Sequence, residues 1–367
     1  MCIDNTFNVR EFDVSHLEGL RALWAEQYDP NYAIRREILF KWLTERNPYL
    51  KGERPYYLLF HKDRMIGMLG HMPLEITING RLKSFRLSHD ILLSKEYRGK
   101  GIGRFLPIGA LTHDDSLTGA LWFNEPNHRM YEKCGWQNVP NLTSYLKIYN
   151  PISFIRQKFK TKPIAGCLSA MMRLVLSVKE ALRTKDGYED IKIQEIETFD
   201  EEYDEFYDSI SHKFGIIVVR KHRYLNWKFI EKPFNNYKCY KALDEKNELS
   251  GYMVIKREAF GSRKRGKIVD ILADPSQPRS FQALINRADL ELSNLGADYI
   301  GVICSYPHFE RELERLGFVK GRNREYFMVN NWEKDYRNVF ISNVDNWYLT
   351  HSDGDGDAWQ VDDQEIN

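Results

Sequence analysis

The stretch Asp90-Ile91-Leu92-Leu93-Ser94-Lys95-Glu96-Tyr97-Arg98-Gly99-Lys100-Gly101-Ile102-Gly103-Arg104 decides the reading of the whole chain. Arg86 to Ser94 reads as an apolar strand. A short polar turn follows, then three glycines at alternate positions, then a helix from Gly101 to Leu111. Glycines in such a turn let the backbone come close to a ligand and leave successive N–H groups pointing outward. The helix start adds a partial positive charge, and Arg98, Lys100 and Arg104 add full ones. Together they make a cradle suited to a pyrophosphate. A Walker P-loop would need G-x-x-x-x-G-K-[ST], which is absent. A dinucleotide fingerprint needs G-x-G-x-x-G, whereas these glycines are spaced two and two.

Working outward, the flanking elements alternate. Phe12 to Arg46 carries apolar residues at helical spacing. Tyr56 to Phe60, Met65 to Leu74 and Ile76 to Ile78 read as strands, with Asn79-Gly80 as a hairpin turn. After the cradle come a strand over Gly119 to Phe123 and a helix over His128 to Cys134, closed by Gly135. This order then recurs. Trp42 followed by Pro48-Tyr49 returns as Trp227 followed by Pro233-Phe234, an offset of 185. The turn Asp63-Arg64-Met65-Ile66-Gly67 returns before Gly251 (offset 184), Asp90-Ile91-Leu92 as Asp270-Ile271-Leu272 (180), and Lys133-Cys134-Gly135-Trp136 as Arg315-Leu316-Gly317-Phe318 (182). Four matches in one order imply a duplicated domain, since solenoid units repeat at roughly 20–50 residues. The expectation is an α/β (α+β, mixed-sheet) fold in two tandem domains: residues 1–150, a linker over 151–187 with an apolar helix Ile164 to Val178, a second domain over 188–350, and an acidic tail over 351–367.

Composition narrows the function classes. The 367 residues hold 43% hydrophobic and 29% charged residues with a net charge of +1, enough for two cores and no demand for nucleic acid or an anionic membrane. Five scattered cysteines make no C-x-x-C pair, which argues against a disulfide framework or zinc site. No apolar stretch reaches the roughly 20 residues that span a bilayer, and none of signal-peptide length opens the chain. The expectation is a cytoplasmic protein without a bound metal. The D-G-D-G-D run at Asp353 to Asp357 lacks the EF-hand glycine and glutamate, which are Ala358 and Gln364 here.

The spacing R-x-x-G-x-G from Arg98 to Gly103, led in by Glu96-Tyr97, resembles the acetyl-CoA motif of GNAT acetyltransferases. Downstream, Trp122-Phe123-Asn124 ends a strand, Tyr131 lies seven residues after Asn124, and Tyr131-Glu132-Lys133-Cys134-Gly135-Trp136 resembles that family's Y-E-K-x-G-F. The resemblance runs from about Phe7 to Ile148 and implies a site. Two strands splay, the backbone of Ile91 and Leu93 meets the pantetheine arm, and the N–H groups of Gly99, Lys100, Gly101, Ile102 and Gly103 hold the pyrophosphate, flanked by Arg98 and Arg104. Asn124 contacts the arm, and Tyr131 is the general acid. A phenol of pKa about 10 can protonate a leaving thiolate of pKa about 8.5. Asp90 is a candidate base, with His71, His89 and water as alternatives. The second copy keeps Asp270 without a cradle, which favours a strand-holding role for Asp90.

The cradle's counterpart, Pro278-Arg279-Ser280-Phe281-Gln282-Ala283, has no glycine, and Leu313 stands for Tyr131. The second copy thus resembles a degenerate GNAT domain. The resemblance implies an acyltransferase moving an acetyl or longer acyl group from acetyl-CoA to the amine of a small acceptor, such as an amino sugar in polysaccharide biosynthesis. The alternatives are an acyl-CoA sensor or scaffold and a Fem-type aminoacyl transferase; the intact cradle argues against the latter.

Overall fold

The computed structural model describes residues 6–53, 56–113, 116–151, 154, 188, 190–324, 326–330 and 338–354. The connector helix expected over Ile164 to Val178 and residues 355–367 of the expected acidic tail lie outside the described residues. Residues 351–354, expected to open that tail, instead form a packed turn with Ser352 and Asp353 buried.

The first copy opens with β1 (Phe7–Glu11), α1 (Leu17–Gln27) and α2 (Pro30–Glu45). Asp29 caps α2 by accepting from the Tyr32 N–H at 3.0 Å, and Pro30 presets its first turn. Strands β2 (Tyr56–His61), β3 (Arg64–Ile78) and β4 (Arg81–Leu93) form an antiparallel meander. Asn79 and Gly80 between β3 and β4 have φ of 48° and 74°, as a two-residue hairpin turn requires. The two short strands expected over Met65 to Ile78 are a single one, β3, because β4 pairs along its whole length. Then follow α3 (Phe105–His113), β5 (Leu117–Leu121) parallel to β4, α4 (Glu125–Lys133), β6 (Gln137–Asn138) and β7 (Thr143–Ile148). The helix expected from Gly101 starts later. Gly101 is left-handed, one 3-10 turn covers Ile102–Arg104, and α3 begins at Phe105.

The second copy repeats the order. It has β8 (Lys192–Ile196), α5 (Glu202–Ile210), β9 (Ile216–Val218), α6 (His222–Leu225) continued by a π turn over Asn226–Ile230, β10 (Lys238–Leu243), β11 (Leu249–Phe260) and β12 (Arg263–Ala273). It continues with α7 (Pro278–Asn294), β13 (Tyr299–Ile303), α8 (Pro307–Arg315), β14 (Val319–Arg324), β15 (Phe327–Asn330), α9 (Asn338–Ile341) and β16 (Trp347–Tyr348).

The two sheets run β1-β2-β3-β4-β5-β15-β6 and β14-β7-β13-β12-β11-β10-β8, with β9 on an extension of β3 and β16 on β9. Each copy's last long strand therefore sits in the other's sheet. Strand β15 of the second copy lies between β5 and β6, and β7 of the first lies between β13 and β14. The boundary expected at residue 150 does not divide the sheets. Trp42 and Trp227, equivalent in the two copies, stack with centroids 4.7 Å apart and planes at 16°, and the Trp42 Nε1–H donates to the Trp227 carbonyl at 3.2 Å. Equivalent residues meet each other only near a two-fold axis, so the copies are paired about a pseudo-dyad through this stack. Leu39, Trp42, Tyr145, Trp227 and Phe327 belong to one buried apolar cluster, so the copies share a core.

Candidate active site

Strands β4 and β5 pair from Phe85↔Leu117 to Ser88↔Ala120 and then part. Two residues beyond that last pair, each strand kinks through a left-handed residue: Asp90 with φ 52° and Trp122 with φ 60°. Neither is glycine, and such residues cost on the order of 1–3 kcal/mol each, held only where the surroundings impose them. The second copy splays at the same place, after Ile268↔Val302. Its counterparts Asp270 and Cys304 are not at positive φ. The strained kinks belong to the first copy alone.

The opening between the parted strands holds a cavity of about 380 Å3. Its walls are Tyr28 between α1 and α2, Tyr32 and Arg36 of α2, Ser88 to Leu92 of β4, Ala120 to Asn124, and Asn127 and Tyr131 of α4. A larger cleft of about 730 Å3, around Tyr49, Lys51–Glu53, Pro73–Glu75 and Ser84–Arg86, is lined by none of the parted residues Asp90–Leu92 and Trp122–Asn124.

The cradle lies just past the end of β4. Gly99 and Gly101 have φ of 74° and 73°, and a Cβ on either would meet nothing within 4 Å. Both glycines are therefore needed for backbone conformation and leave their N–H face open. Two groups pin the turn. Glu26 accepts from Ser94 Oγ at 2.9 Å and from the Lys95 N–H at 2.6 Å. Burial alone would raise the Glu26 pKa, but these bonds and the nearby cations hold it below its ordinary value. Arg98 turns back onto the strand end, donating from Nε to the Leu93 carbonyl at 3.0 Å and from Nη2 to Gln27. Arg98 thus shapes the turn, and Lys100 and Arg104 remain as the flanking charges, each near an aromatic ring (Tyr97 and Phe105).

The remaining expected residues converge on the same opening. Tyr131 is 2% exposed, and its hydroxyl shares a 2.8 Å hydrogen bond with Ser88 Oγ. Its ring packs on Trp136 and Phe123. Asn124 caps α4, its side chain accepting from the Asn127 N–H at 3.0 Å. Ile91 lines the cavity, whereas Leu93 packs beside Leu106 in the apolar layer under α3. Asp90 is buried and ion-paired with Arg36 of α2. His71 and His89 are both buried. Burial, with His71, Arg36 and Lys228 adding to it, holds His89 well below the ordinary histidine pKa of 6.5. Gly70 makes room for it, since a Cβ there would lie 2.5 Å from His89 Nε2.

A neutral His89 has a measurable consequence. The unfolded chain takes up a proton below pH 6.5 and the folded chain does not. Stability present above pH 6.5 should therefore be lost at up to about 1.4 kcal/mol per pH unit as pH falls. Urea unfolding at pH 7.5 and 5.5 tests this, and His89→Gln should lose less than wild type over the same interval.

Sequence reasoning missed Ser88, Arg36 and the kink at Trp122. Arg36 was within reach, because Arg220 stands seven residues before Trp227, close to the six that separate Arg36 from Trp42, and pairs with Asp270 as Arg36 pairs with Asp90. In the second copy this pair sits under a plug. Thr350 bridges Cys304, and the Leu349 carbonyl accepts from the Ser305 N–H at 3.1 Å. Thr350 Oγ1 donates to Asp270 at 2.8 Å, and Asp353 pairs with Arg220 at 2.7 Å. Residues Trp347 to Asp353 thus occupy the space beside β13 that corresponds to the first copy's cavity. Leu313, in place of Tyr131, is fully buried, and α7 starts at Pro278, where the cradle would be.

The acetyltransferase (GNAT) family model matches residues 17–136. No curated protein matches the sequence. Among solved structures, a GCN5-related N-acetyltransferase from Anabaena variabilis is 11% identical with a TM-score of 0.58, covering 89% of this chain and 73% of that one. Saccharomyces cerevisiae N-myristoyltransferase with bound myristoyl-CoA is 13% identical with a TM-score of 0.58, covering 90% and 84%. A conserved Enterococcus faecalis V583 protein described as a probable N-acyltransferase is 13% identical with a TM-score of 0.57, covering 89% and 73%. At these identities the likeness is one of fold. No helix among the described residues is long and apolar enough to cross a membrane. The cradle and the splayed strands lie within the matched segment: residues 17–136 carry a GNAT acetyltransferase domain, and the two sheets fit a tandem arrangement of GNAT-like copies.

Proposed function

We propose that the chain is an acyl-CoA-dependent N-acyltransferase with one working site, in the first copy. The observation that carries this reading is the asymmetry of the two splays. One is open beside a glycine cradle and kinked by two left-handed residues, and the other is filled by the chain itself. In this reading the N–H groups of Gly99 to Gly103 hold the pyrophosphate of acetyl-CoA or a longer acyl-CoA, with Lys100 and Arg104 alongside. The pantetheine arm enters between β4 and β5, past Ile91 and Asn124.

The reaction needs no covalent enzyme intermediate. The acceptor amine attacks the thioester carbonyl, and backbone N–H donors of the parted strand stabilise the oxyanion. The C–S bond then breaks, and the thiolate takes the Tyr131 phenolic proton. Ser88, bonded to that hydroxyl, orients it, and the phenolate regains its proton from solvent. Asp90 we assign to the kink rather than to proton transfer, because Arg36 engages its carboxylate. The amine proton leaves to solvent. The acceptor we place among small amines, amino sugars included.

Tyr131→Phe tests this assignment. It should lower kcat by about 100-fold with acetyl-CoA affinity unchanged, read as free-thiol release against an amine panel. Unchanged turnover with intact binding would sink the role. Binding by wild type without thiol release for any acceptor would favour a sensor instead.

A further inference from the structure

The wall of the first copy's cavity is held by the far end of the chain. Trp122 follows β5 directly and sets the direction in which Phe123 and Asn124 leave the sheet. The second copy clamps it twice. Its backbone N–H donates to the Tyr326 carbonyl at 3.3 Å, and its ring lies against the segment that closes the second splay. The His351 ring is 5.9 Å from the indole, and Gly354 sits on it so closely that a Cβ at 354 would overlap the indole's Cδ1 and Nε1. The indole N–H is buried there, without a hydrogen-bond partner among the described residues. A left-handed tryptophan with a covered N–H is a conformation that its surroundings must impose. The segment pressing on it is itself anchored, through Thr350 to Asp270 and through Asp353 to Arg220.

We propose that Gly354 is a positioning residue for the acyl-CoA site, holding Trp122 in the kinked conformation that keeps the two strands apart. The claim rests on the function proposed above. It also gives the filled splay of the second copy a use, as the anchor of a strap that braces the first copy's site. Only glycine fits at 354, because any side chain there displaces the indole.

The test is a double-mutant cycle. Gly354→Val should weaken acetyl-CoA binding about tenfold or more in wild-type background and less than about twofold in a Trp122→Ala background, because the ring through which it acts is then gone. A second readout needs no ligand. In protein labelled with 5-fluorotryptophan, the Trp122 fluorine resonance, assigned from Trp122→Phe, should shift in Gly354→Val. Equal weakening in both backgrounds overturns the proposal, as does an unmoved resonance with unchanged affinity. If wild type binds no acetyl-CoA, the function proposed above falls and the resonance alone decides whether Gly354 positions Trp122. Should Gly354→Val fail to fold, the same cycle run with Gly354→Ala decides.

Discussion

Gly101→Glu should lower acetyl-CoA affinity by about 100-fold or more, with the fold retained. The backbone at 101 has φ 73°, and a residue with a Cβ is strained there by roughly 1–2 kcal/mol. A clash is not the cause, since a Cβ at 101 meets nothing within 4 Å. The larger part of the loss comes from charge, as a carboxylate is set where the turn's N–H groups and the start of α3 are arranged for an anion. Gly101→Ala separates the two effects. It carries the strain without the charge and should weaken binding only about tenfold. Isothermal titration of both variants, with melting curves as the fold control, gives the answer. Equal affinities for Glu and wild type would mean that the turn does not hold the ligand.

Arg220→Leu should destabilise the protein by about 3–5 kcal/mol. The Arg220 side chain is fully buried between Asp270 and Asp353, with Tyr252 and Thr350 completing the hydrogen bonds to Asp270. Burial disfavours its charge, yet the two carboxylates outweigh that and raise its pKa well above the ordinary arginine value. Removing it leaves two carboxylates in the core without a cation, and for Asp353 burial already pushes the pKa upward. The triple variant Arg220→Leu with Asp270→Asn and Asp353→Asn should recover a good part of the loss, because no unpaired charge then remains. Urea unfolding at pH 7.5 measures all three proteins. A single variant within about 1 kcal/mol of wild type would show that the network contributes little.

The local chemistry was legible in the sequence and the long-range pairing was not. Gly99 and Gly101 announced left-handed backbone by residue type, and Asn79-Gly80 announced its hairpin in the same way. Duplication was visible because Trp42 and Trp227 lie in matching contexts, 185 residues apart. Nothing local foretold that those two rings stack, or that β7 and β15 trade sheets. An exchanged strand carries the same apolar alternation as one that stays home, so pattern alone cannot assign its partner. The left-handed Trp122 was equally hidden. Tryptophan has no preference for that conformation, and the cause lies at Gly354, at the other end of the chain. The filling of the second splay left a trace only in hindsight: the absent glycines at Pro278 to Ala283 told of a lost cradle, and Trp347 to Asp353 supply what took the space.

The central claim is one acyl-CoA site per chain, confined to the first copy. Isothermal titration of wild-type protein with acetyl-CoA tests it most directly. One molecule bound per chain, with the heat abolished by Gly101→Glu, is the expected result. No binding, two molecules per chain, or binding that survives Gly101→Glu would contradict it.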